Sequence, residues 1–165
     1  MNTGQMILAA GGMILLSTIF LSVNRTFANS SDVLISTKLD VLAVSLAASF
    51  IEDATSKPFD ANTVGNAVDD LDSQTAVYSL GPANGEDYSE FNDFDDFNGL
   101  SLVDSTTIQG IKFGVDCEVL YVDDDDPEAV STSPTWHKRI TVRISSPAMV
   151  DTVMLSTVHS YFYFR

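Results

Sequence analysis

Two groups of closely spaced aspartates are the residues whose types and spacing could support chemistry. The first group precedes Asn98-Gly99, and the second occupies residues 123–126. Calcium takes about six to eight oxygen ligands, which aspartate carboxylates and backbone carbonyls can supply. The spacing therefore indicates a calcium site as one interpretation. The candidate ligands are Asp93, Asp95, Asp96, Asp123 and Asp125.

Solvated acidic loops are the competing interpretation of the same residues. Neither group matches the helix–loop–helix calcium site, in which the loop ends in a bidentate glutamate. Phe91, Phe94 and Phe97 are interspersed with the first group, so we expect their rings to hold this loop on the body while the carboxylates face solvent. We favour solvated loops and keep calcium as the alternative.

The other residues with catalytic potential show no arrangement typical of an enzyme. His137 and His159 fall on predicted strands without a readable triad or metal-ligand spacing, and we expect both to be exposed. Cys117 is the only cysteine, so an intramolecular disulfide is excluded, and its apolar surroundings predict a buried thiol. The sequence also contains no glycine-rich phosphate loop. We therefore predict no catalytic site, no cofactor and no enzymatic activity.

The charge composition restricts the partners of the protein. Its 165 residues include 23 Asp and Glu but only 8 Lys and Arg, which gives a formal net charge of -15. Phosphate binding requires clustered Lys and Arg, whereas the basic residues here are scattered. We therefore expect no nucleic acid partner. An acidic surface of this kind favours solubility, mutual repulsion or cation binding.

An uncharged amino terminus precedes all of these residues. Residues 1–24 contain no charged side chain, and the apolar run 6–23 has about the length of a helix that crosses a bilayer. Three interpretations are open: a cleaved signal peptide, a permanent single-span anchor, or a helix that leaves the membrane to pack against copies of itself. The residues expected to pack in such an assembly are Met6, Ile7, Leu8, Met13, Ile14, Leu15, Leu16, Ile19, Phe20, Leu21 and Val23.

Residues 31–57 continue this run as a predicted amphipathic helix. Apolar residues recur at three- and four-residue spacing, and additional alanines widen the apolar stripe beyond what one sheet covers. We expect neighbouring subunits to cover the remainder. The Asn and Ser residues within 24–31 indicate a frayed or extended link between the two helical halves. Pro58 should end the helix, because the residue before a proline is disfavoured in the α region.

The carboxyl-terminal part of the chain has the pattern of a sheet. Apolar and polar residues alternate over 111–121 and 136–145, which predicts two strands with one buried face, and a third is predicted over about 152–164. Residues 58–108 are acidic and rich in turn dipeptides, so we expect an irregular region there.

The predicted fold is α+β, with a long amino-terminal helix packed on an antiparallel β-meander. The hydrophobic half of that helix occupies residues 1–30. A globular head, residues 31–165, contains the amphipathic half of the helix over 31–57, the irregular region over 58–108 and the meander over 109–164.

The order of these parts resembles that of type IV pilins and pilin-like proteins. The stretches that carry the resemblance are 93–99, 121–127, 136–145 and 151–157, which look like the aspartate-rich loop and the strand motifs of such heads. The chain departs from the family pattern in three respects. Nothing basic precedes Gly4, the only candidate leader glycine, the family's proline that kinks the first helix is missing, and the family's glutamate is replaced. Pilins carry a glutamate at the fifth residue after the leader glycine, and the fifth residue after Gly4 is Ala9.

The resemblance implies a structural subunit of an extracellular type IV pilus-like filament that polymerises through its hydrophobic helix. Its partners would be copies of itself in a helical homopolymer, the membrane before assembly and the pilus assembly machinery. It would be anchored in the inner membrane before assembly and would lie on the cell surface afterwards. Two other functions fit the same residues: a minor pilin or secretion pseudopilin, and a single-span membrane-anchored binding domain with acidic loops.

Overall fold

The computed structural model describes residues 2–108 and 110–164, and it begins with one long helix. Helix α1 spans Thr3–Ser56, a length of 54 residues. It ends one residue earlier than predicted, immediately before Lys57-Pro58. The proline accounts for this end, because it disfavours helical geometry at the residue that precedes it.

The expected frayed or extended link at residues 24–31 is wrong, because α1 is continuous through this segment. The side-chain hydroxyls in this segment could have formed hydrogen bonds that compete with the helical backbone, but they donate to carbonyls within the helix instead. Thr26 Oγ1 donates to the carbonyl of Ser22 at 3.0 Å, and Ser31 Oγ donates to the carbonyl of Phe27 at 3.1 Å. Such bonds to the preceding turn leave the backbone ladder intact.

The chain divides into two compact units. Residues 1–39, which we call the stalk unit, contain most of α1. Residues 40–165, which we call the head unit, contain the last part of α1 and all that follows it.

Over the described residues, the head unit contains one antiparallel sheet of four strands in the order β1-β2-β3-β4. In the register of the sheet, Cys117 lies opposite Val142, and Val142 lies opposite Leu155. The predicted α+β fold, a long helix followed by an antiparallel sheet, is confirmed. The strands are β1 (Ser101–Ile108), β2 (Ile111–Tyr121), β3 (His137–Ser145) and β4 (Val153–Ser160).

Two details of the predicted sheet are wrong. Strand β1 lies inside the segment 58–108 that we expected to be irregular. It is an edge strand whose residues 101–105 are exposed or half-buried, so no buried face imposes an apolar alternation on its sequence. The last strand ends at Ser160, and a 3-10 helix, Tyr161–Phe164, occupies the end of the predicted third strand.

Short 3-10 helices and turns fill residues 57–100, as the turn dipeptides predicted. One of them presents Asp60 to the interior of the head unit. The Asp60 carboxylate accepts a hydrogen bond from the backbone N–H of Asn62 at 3.0 Å, and its own N–H donates to Thr63 Oγ1 at 2.9 Å. This reciprocal cap satisfies backbone donors at the start of the turn. The 3-10 helices are Ala61–Thr63, Leu71–Ser73, Val77–Ser79, Tyr88–Glu90 and Asp95–Phe97.

The core of the head unit combines one face of α1, one face of the sheet and the aromatic residues of the loop. The sheet contributes the alternate residues of β2 and β3 that the sequence pattern predicted. Phe94 donates its backbone N–H to the carbonyl of Pro58 at 2.9 Å, which joins the loop to the end of the helix. The main buried apolar residues are Ala43, Ala47, Phe50, Ala54, Phe91, Phe94, Phe97, Phe113, Val115, Cys117, Val119, Tyr121, Ile140, Val142 and Ile144.

Candidate functional site

The first candidate site is the apolar surface of α1 in the stalk unit. The eleven residues that we predicted to pack in an assembly are all exposed, from 46% for Val23 to 79% for Leu8. No described residue of the stalk unit covers them, and Arg25 is the first charged side chain in the sequence. Exposed apolar surface of this extent marks an interaction site with protein or lipid.

By length and composition, α1 is able to cross a membrane. Its apolar exposure also continues beyond the predicted span. Phe27, Val33, Leu34 and Ile35 are each more than half exposed. The surface that requires a partner therefore extends from Met6 at least as far as Ile35.

The second candidate site is a buried charged cluster in the head unit, formed by Lys138 and four aspartates. Lys138 lies on β3 in phase with the apolar residues of the buried face, and its side chain is fully buried. Its Nζ donates to Asp95 Oδ1 at 2.6 Å, to Asp60 Oδ2 at 2.8 Å and to the carbonyl of Phe59 at 3.0 Å. A buried ammonium is stable only when it is paired in this way. The aspartates are Asp60, Asp93, Asp95 and Asp96.

Asp60 is the most completely hydrogen-bonded carboxylate of the cluster. Besides Asn62, it accepts hydrogen bonds from the N–H of Thr75 at 3.0 Å and from Thr75 Oγ1 at 3.1 Å. The Tyr121 hydroxyl lies 3.2 Å from Asp60 Oδ2 and 2.8 Å from the carbonyl of Thr75. Burial pushes the pKa of Asp60 upward, but the Lys138 ammonium and these donors hold it below its usual value. Asp60 is therefore an ionised carboxylate.

The pKa values of Asp93 and Asp95 are raised, whereas that of Asp60 is lowered. Burial raises the pKa of Asp95, and this effect exceeds the lowering caused by Lys138. Burial and the charges of Asp95 and Asp96 raise the pKa of Asp93 to about 8. Asp93 is consequently protonated at neutral pH, and its side chain hydrogen-bonds with that of Asp95. In the cluster, the Lys138 ammonium thus contacts Asp60 and Asp95 directly, and the protonated Asp93 hydrogen-bonds with Asp95.

Aromatic rings flank the Lys138 side of this cluster. The Lys138 Nζ lies 4.5 Å from the ring centroid of Phe59 and 4.9 Å from that of Tyr121. His159 packs against Phe94 with 4.8 Å between ring centroids. Burial and the positive charge of Lys138 lower the pKa of His159 to about 4, so its imidazole is neutral at pH 7.

The expectation that the aspartates near the phenylalanines face solvent is wrong. The rings of Phe91, Phe94 and Phe97 are buried as predicted, but Asp93, Asp95 and Asp96 are buried with them. Lys138 explains the burial of Asp95, because its ammonium reaches this loop from β3 and compensates for the desolvation of that carboxylate. Asp96 is compensated instead by the backbone N–H groups of Asn92 and Asp93, and Asp93 is buried in its protonated form.

The geometry also argues against the predicted calcium site. Asp95 directs Oδ1 at Lys138, and Asp96 Oδ2 accepts the backbone N–H groups of Asn92 and Asp93 at 2.8 and 3.1 Å. Among the described residues, no group of three or more His, Cys, Asp or Glu side chains is arranged to hold a metal ion. One carboxylate oxygen of each of Asp93, Asp95 and Asp96 is therefore engaged by a protein donor.

Asp123 and Asp125, the other predicted calcium ligands, lie in the exposed loop between β2 and β3. Asp123 Oδ1 accepts the backbone N–H groups of Asp125 at 2.9 Å and of Asp126 at 3.3 Å. The loop therefore uses this carboxylate to stabilise its own turn, as aspartates commonly do. This part of the predicted site agrees with the solvated-loop interpretation.

The predictions for the remaining reactive side chains differ in outcome. Cys117 is buried as expected, and burial together with the charge of Asp116 raises its pKa to about 12. His159 is buried, so its predicted exposure is wrong. His137 is half-buried, with Nδ1 2.6 Å from Ser160 Oγ.

No family model, curated protein or solved structure matches this chain.

Proposed function

We propose that this protein is a structural, non-enzymatic subunit of an extracellular type IV pilus-like filament, assembled through the apolar surface of α1. The observation that carries the proposal is the uncharged, exposed apolar surface that begins at Met6. Transfer of each large apolar side chain from water to an apolar environment contributes about 1.5–3 kcal/mol. For eleven such residues the sum is on the order of 20 kcal/mol, so a single copy requires a partner for this surface.

The length of the apolar surface favours a protein partner in addition to lipid. A helix rises about 1.5 Å per residue, so the distance along α1 from Met6 to Ile35 is roughly 44 Å. The hydrocarbon core of a bilayer is only about 30 Å thick. A lipid bilayer alone would leave exposed apolar residues such as Leu34 in water. Copies of the same helix would cover the whole surface, with the membrane as a reservoir before assembly.

The acidic composition fits the exterior of such a filament. The formal net charge of -15 on each copy favours solubility and keeps filaments apart at low salt. The secretion pseudopilin and minor pilin alternatives share the same assembly surface. Copy number in sheared extracellular material separates them from a major subunit, which should dominate that material.

The membrane-anchored binding domain is the alternative from a different class, and one substitution distinguishes it from the filament. Leu34 is 70% exposed and lies beyond the predicted span. If the protein is a filament subunit, the Leu34→Asp variant should fail to assemble, because the new carboxylate would be buried between copies. Its attachment to the membrane through residues 6–23 should be retained. A simple anchor should tolerate the same change.

The measurement is negative-stain electron microscopy of material sheared from the producing cells. Leu16→Asp should abolish filaments as well, while the head unit stays folded. Tyr78→Asp is the matched control, because Tyr78 is 93% exposed in the head unit and its replacement should leave filaments unchanged. Filaments of normal length and number from Leu34→Asp, or none from the natural protein, would overturn the proposal.

A further inference from the structure

The contacts of Lys138 suggest a reaction beyond ion pairing. Its Nζ lies 2.6 Å from Asp95 Oδ1 and 2.8 Å from Asp60 Oδ2, and all three side chains are almost fully buried. An amine and two carboxyl groups thus meet without bulk water. We propose that Lys138 condenses with Asp95 to form an intramolecular isopeptide bond, with Asp60 as the proton acceptor and Asp93 as the proton donor. This inference is independent of the filament proposal.

The buried environment weakens the hydration of the reacting groups. In a low-dielectric interior, an ion pair loses part of its stabilisation by water, which lowers the cost of transferring a proton between its members. The rings of Phe59 and Tyr121 flank the Lys138 nitrogen and limit the access of water. The same exclusion of water protects the product amide from hydrolysis. Close approach of the reacting groups supplies the proximity that an uncatalysed condensation in water lacks.

The hydrogen bonds assign different roles to the two carboxyl groups. Asp60 accepts hydrogen bonds from several donors in addition to Lys138, including both the N–H and the hydroxyl of Thr75. These donors stabilise the carboxylate, which suits a base. Asp95 makes the shorter contact with Lys138, and its other side-chain partner is the carboxylic acid of Asp93. Asp95 therefore receives a proton more readily, which makes its carbonyl carbon the electrophile.

The reaction balances without an additional reagent. The Lys138 ammonium transfers a proton to Asp60, and the Nζ lone pair attacks the Cγ of Asp95 to form the C–N bond. Asp93 donates its proton to the departing oxygen of Asp95, and the C–O bond breaks. The second proton lost from the nitrogen completes one molecule of water, and the proton held by Asp60 restores Asp93. One ammonium and one carboxylate become one secondary amide and one water, with no oxidation or reduction.

The bond would join the loop before β1 to strand β3, two positions separated by 43 residues in the chain. A covalent bond there would keep the loop and the sheet together when the head unit is heated or pulled. It would also remove the ammonium of Lys138, the one that contacts the cluster among the described residues.

Mass spectrometry of the full-length protein, purified in detergent and denatured, tests the proposal directly. The expected intact mass is lower than the sequence mass by one water molecule. Proteolysis should release a branched pair of peptides, one containing Lys138 and the other Asp95. A succinimide also loses one water but yields no branched peptide, so the fragment spectrum separates the two products.

Two variants supply matched controls. Lys138→Arg should show the full sequence mass. Asp95→Asn should condense with release of ammonia and yield a product of the same mass as the natural one, because the same amide forms. Natural protein at its full sequence mass, or a branch at Asp60, would overturn the proposal. The measurement on the natural protein decides the question even if a variant fails to fold.

Discussion

Replacing Lys138 with methionine is the most direct test of how the buried charges stabilise the head unit. Methionine is unbranched and apolar, so the site stays largely filled while the positive charge is removed. Three acceptors each lose a charged donor: the carbonyl of Phe59, Asp60 Oδ2 and Asp95 Oδ1. Because these groups are almost fully buried, solvent replaces the lost hydrogen bonds only poorly.

The structure allows the size of the effect to be derived. Removal of one partner from a buried ion pair costs about 3–5 kcal/mol, because an uncompensated charge remains in the interior. Here one ammonium serves two carboxylates, which places the expected loss at the upper end of this range. Protonation of Asp95 limits the loss, since its pKa is already raised by burial. For a domain of this size, a loss of about 4 kcal/mol lowers Tm by roughly 10–25 °C.

Thermal and urea unfolding of the full-length protein in detergent, followed by the fluorescence of Trp136, measure the change. Trp136 is half-buried in the head unit and stacks on Tyr161 with 5.3 Å between ring centroids, so its emission reports the folding of this unit. Lys112→Met is the matched control, because Lys112 is exposed on β2. The control should change the free energy of unfolding by less than about 0.5 kcal/mol.

A neutralising combination tests the physical reason. Adding Asp60→Asn and Asp95→Asn to Lys138→Met should recover part of the lost stability, since no unpaired charge is then buried. The reasoning would be refuted if Lys138→Met and Lys112→Met had the same free energy of unfolding. An isopeptide bond between Lys138 and Asp95 would add to the loss in Lys138→Met, because the variant would also lack that covalent link.

Two further predictions concern titratable groups of the head unit. The folded pKa of Asp93, about 8, lies above its ordinary value of 3.8, so its contribution to stability is lost as pH rises toward 8. The folded pKa of His159, about 4, lies below its ordinary value of 6.5, so this residue raises the free energy of unfolding as the pH rises. Most of this increase is reached by pH 6.5. The free energy of unfolding should therefore fall by about 1 kcal/mol between pH 6.5 and 8. The Asp93→Asn variant should not show this fall. If the variant shows the same dependence on pH as the natural protein, the raised pKa of Asp93 is contradicted. Cys117, with a buried thiol and a pKa of about 12, should resist a maleimide in the native protein and react after denaturation; rapid native labelling would show that the core opens.

Much of the fold could be predicted from the sequence, because the relevant signals are local and periodic. The uncharged run before Arg25 and the following apolar stripe indicated a long helix, and alternation over 111–121 and 136–145 indicated strands β2 and β3. Each of these elements has a buried face or a uniform composition that its own residues encode. Strand β1 was missed because an edge strand with little burial has no such pattern.

The sequence indicated one member of the buried cluster, Lys138, but not the aspartates that pair with it. Lys138 stands at a position of β3 that alternation assigns to the buried face, and a lysine in that phase is the signal that a buried partner exists. The identity of the partner was not visible. Asp60 and Asp95 are 78 and 43 residues away in the chain, and each lies in a region without periodicity.

The sequence by itself determined which segments are apolar, where the helix ends and which strand residues face inward, since these follow from side-chain chemistry repeated at a fixed spacing. Only the tertiary structure decided that Asp93, Asp95 and Asp96 are buried and not solvated. A carboxylate can leave water only where a cation and hydrogen-bond donors compensate for its lost hydration. For Asp95 that compensation comes from Lys138 on a different element, brought there by the pairing of strands and the packing of the loop. Asp96 accepts backbone N–H groups of its own loop, and Asp93 is buried as the neutral acid.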